Sequence, residues 1–379
     1  MKVAIVHDFL NQAGGAERVV VALHRLFPEA PIFTTIVDRH VLWPSLQDAD
    51  IRPSWMQHLP GVLHHHRPYL PFYPRAIESL RLDGYDLVIS SSSAFAKGAV
   101  TAPRTYHVCY CHNAMRFVWE YDRYVSRERF GAMTRALLPP IIEWMREWDL
   151  RSARRPNLLV ANSSVVAERL RRYYGRPSAV VFPPVEVGRY QPAAVDEPYY
   201  LVVSRLVPYK RVDLAVEAFN QAGQPLVVIG DGPARRALQR AARPNVRLLG
   251  RVPDAELAHY YARCRGVVVP GEEDFGIVPL EANAAGRPVV AFGAGGALDT
   301  VVEQRSGVLF REPTPAALLA AVESCNATQW DKAALRKHAE SFSRAEFGRR
   351  FVGVLREAVG WERRLAERRA PRGARQRAV

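Results

Sequence analysis

Short apolar runs alternate with amphipathic helical patterns along most of this chain, and this alternation restricts the fold more than any other feature. A strand followed by a helix and a further strand favours a parallel sheet with helices on both faces. The alternation occurs in two blocks, which predicts an α/β protein with two Rossmann-like, doubly wound parallel-sheet domains. The predicted strands are 3–7, 32–37, 86–90, 107–111, 158–161 and 179–182 in the first block, and 200–203, 226–229, 246–249, 266–269, 289–291 and 308–310 in the second.

Helices are predicted between these strands wherever apolar residues recur with a period of about 3.6. A last helix, from about Arg344 to Arg364, is followed by no strand. The other predicted helices are 16–27 in the first block, and 211–221, 234–242, 254–263, 277–285 and 314–325 in the second.

The length of the chain, 379 residues, exceeds what one hydrophobic core usually organises, so two domains are expected. Two consecutive prolines, Pro183 and Pro184, follow the last strand of the first block and suit a stiff connection between domains. The predicted division is 1–184 for the first domain, 185–345 for the second, 346–365 for the final helix and 366–379 for a basic tail.

The net charge of +14 would attract nucleic acid or an anionic membrane surface. Residues 362–379 carry seven Arg and two Glu with few apolar side chains, so the end of the tail is predicted to be disordered. Two interpretations of the tail stay open: a solvated segment, and attachment to a membrane. A nucleic-acid-binding protein is disfavoured because the chain contains no recognised binding module.

The four cysteines form neither a Cys-x-x-Cys pair nor a zinc spacing, so buried thiols in a reducing cytosol are expected. The sequence has no apolar run close to the roughly 18 residues that span a bilayer. Met1 and Lys2 lead directly into a strand, which argues against a signal peptide. We therefore expect a cytoplasmic protein that attaches at most peripherally to the inner face of the plasma membrane.

Two carboxylates eight residues apart, Glu273 and Glu281, carry the strongest functional signal. Glu273 lies on the loop after a predicted strand, and Glu281 lies inside the predicted helix that follows. The backbone N–H groups of Phe275, Gly276 and Ile277 open that helix, where unsatisfied donors and the helix dipole favour a phosphate. Sugar hydroxyls, a ribose and a diphosphate could all be held at such a site.

Polar and glycine residues follow the ends of several predicted strands. Gly14 and Gly15 come after the first strand, and His112 follows the strand that ends at 111. Arg205 and Glu273 take equivalent places in the second block. Ligands of open parallel sheets bind beyond the carboxyl ends of the strands. The loops of both domains are therefore expected to face one cleft.

Several of these segments resemble one family. The run 270–282 resembles the Glu-x7-Glu signature of retaining glycosyltransferases of the GT-B fold, which use nucleotide-sugar donors. The segment 204–211 is similar to the family's diphosphate-binding Arg-x4-Lys segment, and the loop 14–18 resembles its amino-terminal Gly-Gly loop. The segment 110–119 is similar to one in its bacterial polysaccharide mannosyltransferases, with Asn113-Ala114 where members of that subtype often have Thr-Pro. The resemblance implies a final helix that crosses back to the first domain.

The resemblance also implies roles for individual residues. Glu281 matches the residue that binds the ribose hydroxyls, and Glu273 the residue that faces the hydroxyls of the transferred sugar. Arg205 and Lys210 would neutralise the departing diphosphate, because a planar guanidinium and a compact ammonium both suit phosphate. His112 would lie near the reacting sugar. The predicted catalytic set is His112, Glu273, Arg205 and Lys210.

Other donor contacts are expected from the backbone. Gly14 and Gly15 lack side chains and would let the donor approach closely. The turn that contains Arg251 and Val252 resembles the family's base-binding turn, whose backbone groups contact the base. The predicted donor-binding set is Gly14, Gly15, Arg205, Lys210, Arg251, Val252, Glu273, Phe275, Gly276, Ile277 and Glu281.

Charged residues elsewhere receive other interpretations. Lys97 and Arg116 are candidates for binding an anionic acceptor. Asp48 and Asp50 have the Asp-x-Asp spacing of a metal site in another glycosyltransferase fold, but a surface turn is expected there. The three histidines 64–66 cannot all face one ion from regular structure, so an exposed loop is expected. The resemblance implies donor binding without a metal ion or cofactor.

The sequence thus predicts a retaining hexosyltransferase that moves mannose from GDP-mannose to a lipid-linked oligosaccharide or polysaccharide precursor. A UDP-sugar-dependent glycosyltransferase is an alternative. A nucleotide-sugar 2-epimerase of the GT-B fold is a further alternative, disfavoured by the Glu-x7-Glu and Arg-x4-Lys segments. A glycosidase also uses two carboxylates, but it has no need of the basic pair Arg205 and Lys210.

Overall fold

Two parallel sheets organise the computed structural model, which describes residues 1–12, 14–120 and 132–369. The strands of the first sheet are β1 (Val3–His7), β2 (Ile32–Thr34), β3 (Ile51–Pro53), β4 (Leu87–Ser92), β5 (Tyr106–Cys111), β6 (Leu158–Ala161) and β7 (Ala179–Val180). Those of the second are β8 (Tyr200–Val203), β9 (Leu226–Ile229), β10 (Val246–Gly250), β11 (Gly266–Val269), β12 (Val289–Phe292) and β13 (Gly307–Phe310).

Both sheets have the strand order of a doubly wound Rossmann fold. The first sheet runs β3-β2-β1-β4-β5-β6-β7, and the second runs β10-β9-β8-β11-β12-β13. Neighbouring strands are parallel throughout both sheets. The predicted fold class, two Rossmann-like α/β domains, is confirmed.

Helices follow most of the strands, as the alternation in the sequence predicts. The final helix is longer than predicted and reaches Arg369, so residues 366–369 of the predicted tail are helical and 370–379 lie outside the described residues. The helices are α1 (Gly15–Leu26), α2 (Tyr73–Glu78), α3 (Arg116–Trp119), α4 (Ala132–Ser152), α5 (Ser164–Tyr174), α6 (Val212–Ala222), α7 (Arg235–Ala241), α8 (Asp254–Arg263), α9 (Val278–Ala284), α10 (Ala297–Thr300), α11 (Pro315–Ala327), α12 (Lys332–Glu340) and α13 (Arg344–Arg369).

Side chains on both faces of each sheet are buried, which explains why the strands are apolar throughout rather than alternating. In β1, Ile5 points into one core with α1, whereas Ala4 and Val6 point into a second core with α2. In β8, Leu201 and Val202 divide in the same way between two cores of the second domain. The loops at the strand ends are therefore held by sheets that are packed from both sides.

Two strands are shorter than predicted. The strand predicted at 32–37 ends at Thr34, because its neighbour β1 ends at His7 and the N–H of Thr35 bonds to the carbonyl of Asp8 beyond that end. The strand predicted at 179–182 ends at Val180, shortly before the proline pair that cannot donate to a ladder. The edge strand β3, directly after Asp50, ends with Pro53, as edge strands tolerate.

The chain crosses between the two sheets twice, and the two crossings lie side by side. The outward crossing leaves β7 and passes Val185, and the return crossing passes Ser343 before α13 begins. Val185 pairs with Ser343 in a parallel bridge, and the Val185 N–H donates to the carbonyl of Phe342 at 2.9 Å. The guanidinium of Arg344 also pairs with the carboxylate of Glu186 at this place.

The helix α13 returns to the first domain, as the family resemblance implies. Phe347, Phe351 and Leu355 are buried in the same core as Ile5. The ring of Tyr110 lies 5.8 Å from that of Phe347 and 6.3 Å from that of Phe351, in edge-on contacts. A segment at the far end of the sequence thus completes the core of the amino-terminal domain.

All four cysteines are buried and unpaired, as expected for structural thiols. Among the described residues, no helix combines the length and the apolar character needed to cross a membrane.

Shortening one aromatic side chain of α13 should destabilise the first domain. Phe351→Ala removes a fully buried ring from its core, and the free energy of unfolding should fall by about 3–5 kcal/mol in urea titrations. Arg356→Ala, on the exposed face of the same helix, should change it by no more than about 0.5 kcal/mol. Equal effects of the two variants would contradict the docking of α13.

Candidate functional site

The two domains meet across a cleft in which Arg18 of α1 bonds to Glu281 of α9. The Arg18 guanidinium donates to one carboxylate oxygen of Glu281 at 2.8 Å, and the Tyr261 hydroxyl donates to the other at 2.9 Å. The carboxylate is only 3% exposed. Burial alone would lower the pKa of Arg18, but the charge of Glu281 outweighs it and raises that pKa. Both oxygens of the predicted ribose-binding residue thus have partners.

Glu273 and Lys210 lie together in the second domain. The Lys210 ammonium bonds to the Glu273 carboxylate. Lys210 ends a short 3₁₀ helix, Pro208–Lys210, in the loop after β8, and Glu273 lies in the loop after the adjacent strand β11. Gly271 makes this approach possible, because a Cβ there would lie 2.7 Å from the carbonyl of Lys210. The structure therefore brings two members of the predicted catalytic set into contact.

Positive charges gather around the ring of Tyr209. Arg205 is exposed, and its guanidinium donates to the Tyr209 hydroxyl at 2.7 Å. The charged groups of Arg116, from the first domain, and of Lys210 lie 5.4 and 5.1 Å from the centre of the same ring. Cations gathered in this way around one ring suit a diphosphate.

The loop that carries Glu273 is tied to the first domain by further ion pairs. Asp274 accepts from Arg169 at 2.5 Å and from Arg116 at 3.3 Å. Arg169 also donates to Glu272 at 3.0 Å. Burial would raise the pKa of Asp274, but the two guanidinium groups outweigh burial and lower it. The Ser163 hydroxyl, at the start of α5, donates to the carbonyl of Asp274 at 2.5 Å.

Both acceptor candidates have other partners in the structure. Lys97 is only 1% exposed, and its ammonium contacts Asp149 at 2.5 Å inside the first domain. Burial would lower the pKa of Lys97, but Asp149 outweighs it and raises that pKa. Lys97 is therefore not placed to bind an acceptor, contrary to expectation. Arg116 faces the cleft, but its partners are Asp274 and Glu120.

His112 lies at the end of β5, half-buried, as its position in the sequence indicates. Its Nε2 lies 2.8 Å from the hydroxyl of Ser91. Its ring meets the ring of Tyr110 edge-on at 5.3 Å. Burial, assisted by the charge of His7, lowers the pKa of His112 to about 4. The imidazole is thus neutral over the physiological pH range.

The glycine loop precedes α1 and is held by Glu17. Its carboxylate accepts the backbone N–H of Gly14 at 2.8 Å and the side-chain amide of Gln12 at 3.1 Å. A Cβ on Gly14 would lie 2.8 Å from that carboxylate, whereas a Cβ on Gly15 would meet no atom within 4 Å. Gly15 therefore leaves open space at the first turn of α1, where a ligand could approach the backbone.

The predicted phosphate-binding amides follow Asp274 and lead into α9. Gly276 has a left-handed φ of +81°, and the helix itself starts at Val278, one residue later than predicted. The loop is covered by Gly296, whose N–H donates to the carbonyl of Glu273 at 2.8 Å. A Cβ on Gly296 would lie 2.2 Å from the carbonyl oxygen of Phe275. The glycine-rich run 293–296 is the feature of the sequence that indicates this close packing.

The predicted base-binding turn follows β10. Gly250, in the left-handed region at φ +78°, ends the strand, and its carbonyl accepts the N–H of Gly230 at 2.8 Å. Arg251 is exposed and Val252 packs against the core that contains Phe275. The turn therefore belongs to the same domain and the same core as the loop after β11.

Two further clusters of acidic or histidine side chains belong to the first domain. Asp48 and Asp50 are exposed, as predicted, and Asp50 pairs with Arg52 at 2.6 Å. His64 and His65 are exposed, whereas His66 is half-buried and its Nδ1 contacts the amide of Asn11 at 3.1 Å. Within the described ranges, no group of three His, Cys, Asp or Glu side chains could hold a metal ion.

Comparison with known families agrees with this architecture. Residues 189–342 match the model of the glycosyl transferases group 1, and residues 13–189 match that of glycosyltransferase family 4. The two matches meet at residue 189 and together span most of both domains. Each half of the chain thus matches a family of glycosyltransferases.

Relatives and solved structures show how far the similarity extends. The D-inositol 3-phosphate glycosyltransferase of Geodermatophilus obscurus is 34% identical over 221 residues, 49% of this chain and 49% of that protein. The GDP-mannose-dependent alpha-mannosyltransferase of Mycobacterium tuberculosis is 36% identical over 137 residues, 33% of this chain and 36% of that protein. The chain thus spans less than half the length of either relative.

Similarity of fold covers the whole molecule. The crystal structure of Anabaena HepE in complex with UDP-glucose superposes with a TM-score of 0.70 at 18% identity, over 94% of this chain and 100% of that one. The two parallel-sheet domains and their arrangement in one chain are therefore those of a GT-B protein.

Adding one methyl group at Gly271 should test the contact between Lys210 and Glu273. In Gly271→Ala the new Cβ would displace the Lys210 backbone. Loss of one charge-assisted hydrogen bond, about 1.5–3 kcal/mol, should weaken binding of a nucleoside diphosphate about tenfold or more in calorimetry. Gly353→Ala, whose Cβ meets no atom within 4 Å, should bind as the wild type does. Unchanged affinity in both variants would show that Lys210 does not bind the diphosphate.

Proposed function

We propose that this glycosyltransferase transfers mannose from GDP-mannose, with retention of anomeric configuration, to a lipid-linked oligosaccharide or polysaccharide precursor. The observation that carries the proposal is the placement of Glu281, Glu273 and Lys210 in one cleft beside the exposed guanidinium of Arg205. Carboxylates suit ribose and sugar hydroxyls, and the two cations suit the diphosphate between them.

Donor binding requires a change of partner at Glu281. The Arg18 guanidinium holds the carboxylate oxygen that a ribose hydroxyl would need. A ribose could replace this bond with two hydroxyl groups that donate to the same carboxylate, while Tyr261 keeps its own bond. Arg18 would then lose its partner in the cleft. The negatively charged diphosphate of the donor could compensate the charge of its guanidinium.

The chemistry follows from the charge that develops during transfer. As the anomeric carbon takes on oxocarbenium character, negative charge grows on the leaving diphosphate, and Arg205 and Lys210 would stabilise it. Glu273 would orient the transferred sugar through its hydroxyls. No carboxylate is assigned as a nucleophile, so we favour displacement on the same face, with the leaving phosphate accepting the proton of the acceptor hydroxyl.

The identity of the donor rests on comparison. A relative named as GDP-mannose-dependent supports GDP-mannose. A UDP-sugar is the second candidate, favoured by the structural similarity to HepE bound to UDP-glucose. The backbone groups of Arg251 and Val252, on the turn after β10, are the proposed contacts that distinguish the bases.

A thermal-shift comparison of nucleotide sugars distinguishes these donors. At about 100 times its dissociation constant a ligand stabilises the folded protein by roughly 2.7 kcal/mol, so GDP-mannose should raise the melting temperature. UDP-glucose and ADP-glucose at equal concentration should raise it less. Stabilisation by UDP-glucose alone would transfer the proposal to a UDP-sugar, and stabilisation by no donor would overturn it.

Two variants extend the same assay to the ribose site. Glu281→Gln preserves the shape of the side chain but removes its charge, so the shift produced by GDP-mannose should shrink. Arg18→Met removes the group that competes for Glu281, and binding of free guanosine should therefore become tighter rather than weaker. Weaker guanosine binding by Arg18→Met would place Arg18 among the nucleoside contacts.

The acceptor side of the proposal rests on charge. The net charge of +14 and the seven Arg of residues 362–379 suit a lipid-linked acceptor at the inner face of the plasma membrane. Each basic residue near an anionic surface contributes about 1 kcal/mol of attraction.

Liposome co-sedimentation tests this part of the proposal. The protein should sediment with anionic vesicles, and less so as salt rises, because the screening length shrinks from about 10 Å at 0.1 M to about 3 Å at 1 M. Truncation after Trp361 should reduce sedimentation and leave donor stabilisation unchanged. Neutral vesicles are the control. Sedimentation that responds neither to truncation nor to salt would refute the role of the tail.

A further inference from the structure

A continuous line of four polar side chains runs from the first turn of α1 to the cleft. Glu17 lies 3.8 Å from Nε2 of His7, and Nδ1 of His7 lies 3.2 Å from the hydroxyl of Ser91. The same hydroxyl lies 2.8 Å from Nε2 of His112. Glu17, His7 and Ser91 are buried, and only His112 is partly exposed. Contacting groups as many as 84 residues apart in the sequence thus form one network.

The direction of the hydrogen bonds at His7 is fixed by chemistry. Nδ1 of His7 lies 2.9 Å from the carbonyl oxygen of Ser91, and a carbonyl can only accept. Nδ1 therefore carries a proton. Nε2 faces the carboxylate of Glu17, which already accepts the N–H of Gly14 and the amide of Gln12 and is thus held ionised.

Charges around His7 favour its protonated form. Burial would lower the pKa of His7, but the carboxylate of Glu17, the charge of Asp8 and the carbonyl of Ser91 outweigh burial and raise it. Burial likewise would raise the pKa of Glu17, and His7 outweighs that effect and lowers it. Both shifts favour an imidazolium at His7 beside a carboxylate at Glu17.

The hydroxyl of Ser91 transmits this arrangement. The Nδ1–H of His7 points at the oxygen atoms of Ser91, so the hydroxyl proton is free to point towards Nε2 of His112. That nitrogen then accepts, and the single ring proton of a neutral His112 lies on Nδ1. Among the described residues, no protein group is bonded to Nδ1 of His112.

We propose that the buried His7–Glu17 pair, acting through Ser91, holds His112 as the neutral tautomer with its proton on Nδ1, so that His112 donates a hydrogen bond into the cleft instead of accepting a proton. Glu17, His7 and Ser91 are positioning residues in this arrangement. The ligand oxygen that would accept from His112, a hydroxyl of the transferred sugar, rests on the proposed function. The tautomer does not.

The groups that face His112 set the pH at which this state is lost. They are His7, Asp8 and Glu17 from β1, the loop after it and α1, and Asp274 from the second domain. The carboxylate of Asp8 accepts from four backbone N–H groups of 93–96. The carboxylates favour a protonated His112, whereas burial, the His7 cation and the Ser91 hydroxyl oppose it.

Removing the Ser91 hydroxyl should therefore raise the pKa of His112. The hydroxyl donates to the neutral ring, and loss of a hydrogen bond to the neutral form favours the charged form. In Glu17→Gln, His7 loses the carboxylate that favours its protonated form, which weakens the cation that opposes protonation of His112. This effect should outweigh the loss of the charge of Glu17 itself, because His7 acts more strongly than Glu17 on His112. Both variants should move the titration of His112 towards the ordinary value of about 6.5.

Nitrogen NMR of the donor-free, histidine-labelled protein is the direct test, with the His112 signals assigned from a His112→Gln spectrum. In the wild type, Nδ1 should be protonated and Nε2 unprotonated at pH 7, with no titration down to about pH 5. Ser91→Ala should give a mixture of tautomers and a midpoint at least about one pH unit higher. Glu17→Gln tests the same effect without altering Ser91.

Ser90→Ala is a matched control on the same strand. Ser90 is buried like Ser91, but its hydroxyl contacts Nε2 of His107 at 2.8 Å and does not contact His112. Its spectrum at His112 should be that of the wild type, whereas Ser91→Thr, which keeps a hydroxyl, should restore the wild-type tautomer.

The opposite tautomer in the wild type, or a midpoint that Ser91→Ala leaves unchanged, would overturn the inference. Because no donor is present, these spectra do not depend on the donor identity. A failure of GDP-mannose or UDP-glucose to stabilise the protein would refute the proposed function and leave the tautomer result standing.

Discussion

Opposite charges on the two domains hold the cleft in its observed shape. The first domain contributes Arg18, Arg116 and Arg169, and the second contributes Glu272, Asp274 and Glu281. Exposed ion pairs of this kind are worth about 0–1 kcal/mol each, but removal of one partner from a buried pair costs far more. Arg18 and Glu281 lie nearer the buried limit, since Glu281 is almost fully covered. Ion pairs between opposite charges therefore contribute to the approach of the two domains.

The same charges are those that a nucleotide sugar would engage. Glu281 is shared between Arg18 and the proposed ribose, and Lys210 is shared between Glu273 and the proposed diphosphate. A donor that binds must therefore exchange protein ion pairs for its own contacts, and the net gain is smaller than the contacts alone suggest. A ligand without the ribose would leave the bond between Arg18 and Glu281 in place, and one without the diphosphate would gain no contact with Lys210. Both groups would therefore contribute to selectivity.

The periodicity of the sequence predicts the fold well because each parallel strand is buried on both faces and stands out as a short apolar run. The strands 3–7 and 266–269, for example, have the predicted bounds. Contact between Lys210 and Glu273 is likewise predictable, since both follow adjacent strands. The pairing of Arg18 with Glu281 is not, because 263 residues separate them and the contact depends on how the domains meet. The burial of Lys97 is not predictable either, because its partner Asp149 lies on α4, far from Lys97 in the sequence.

The paired crossings at Val185 and Ser343 have a mechanical consequence. Two chain segments that cross between two domains at one place form a hinge. They hold the axis of the hinge but allow the domains to rotate about it. Hydrogen bonds such as that from Val185 to Phe342 hold the axis itself. The angle between the domains is then set by the ion pairs of the cleft, which lie away from the hinge. We therefore expect ionic strength and ligand charge to change the angle between the two domains in solution.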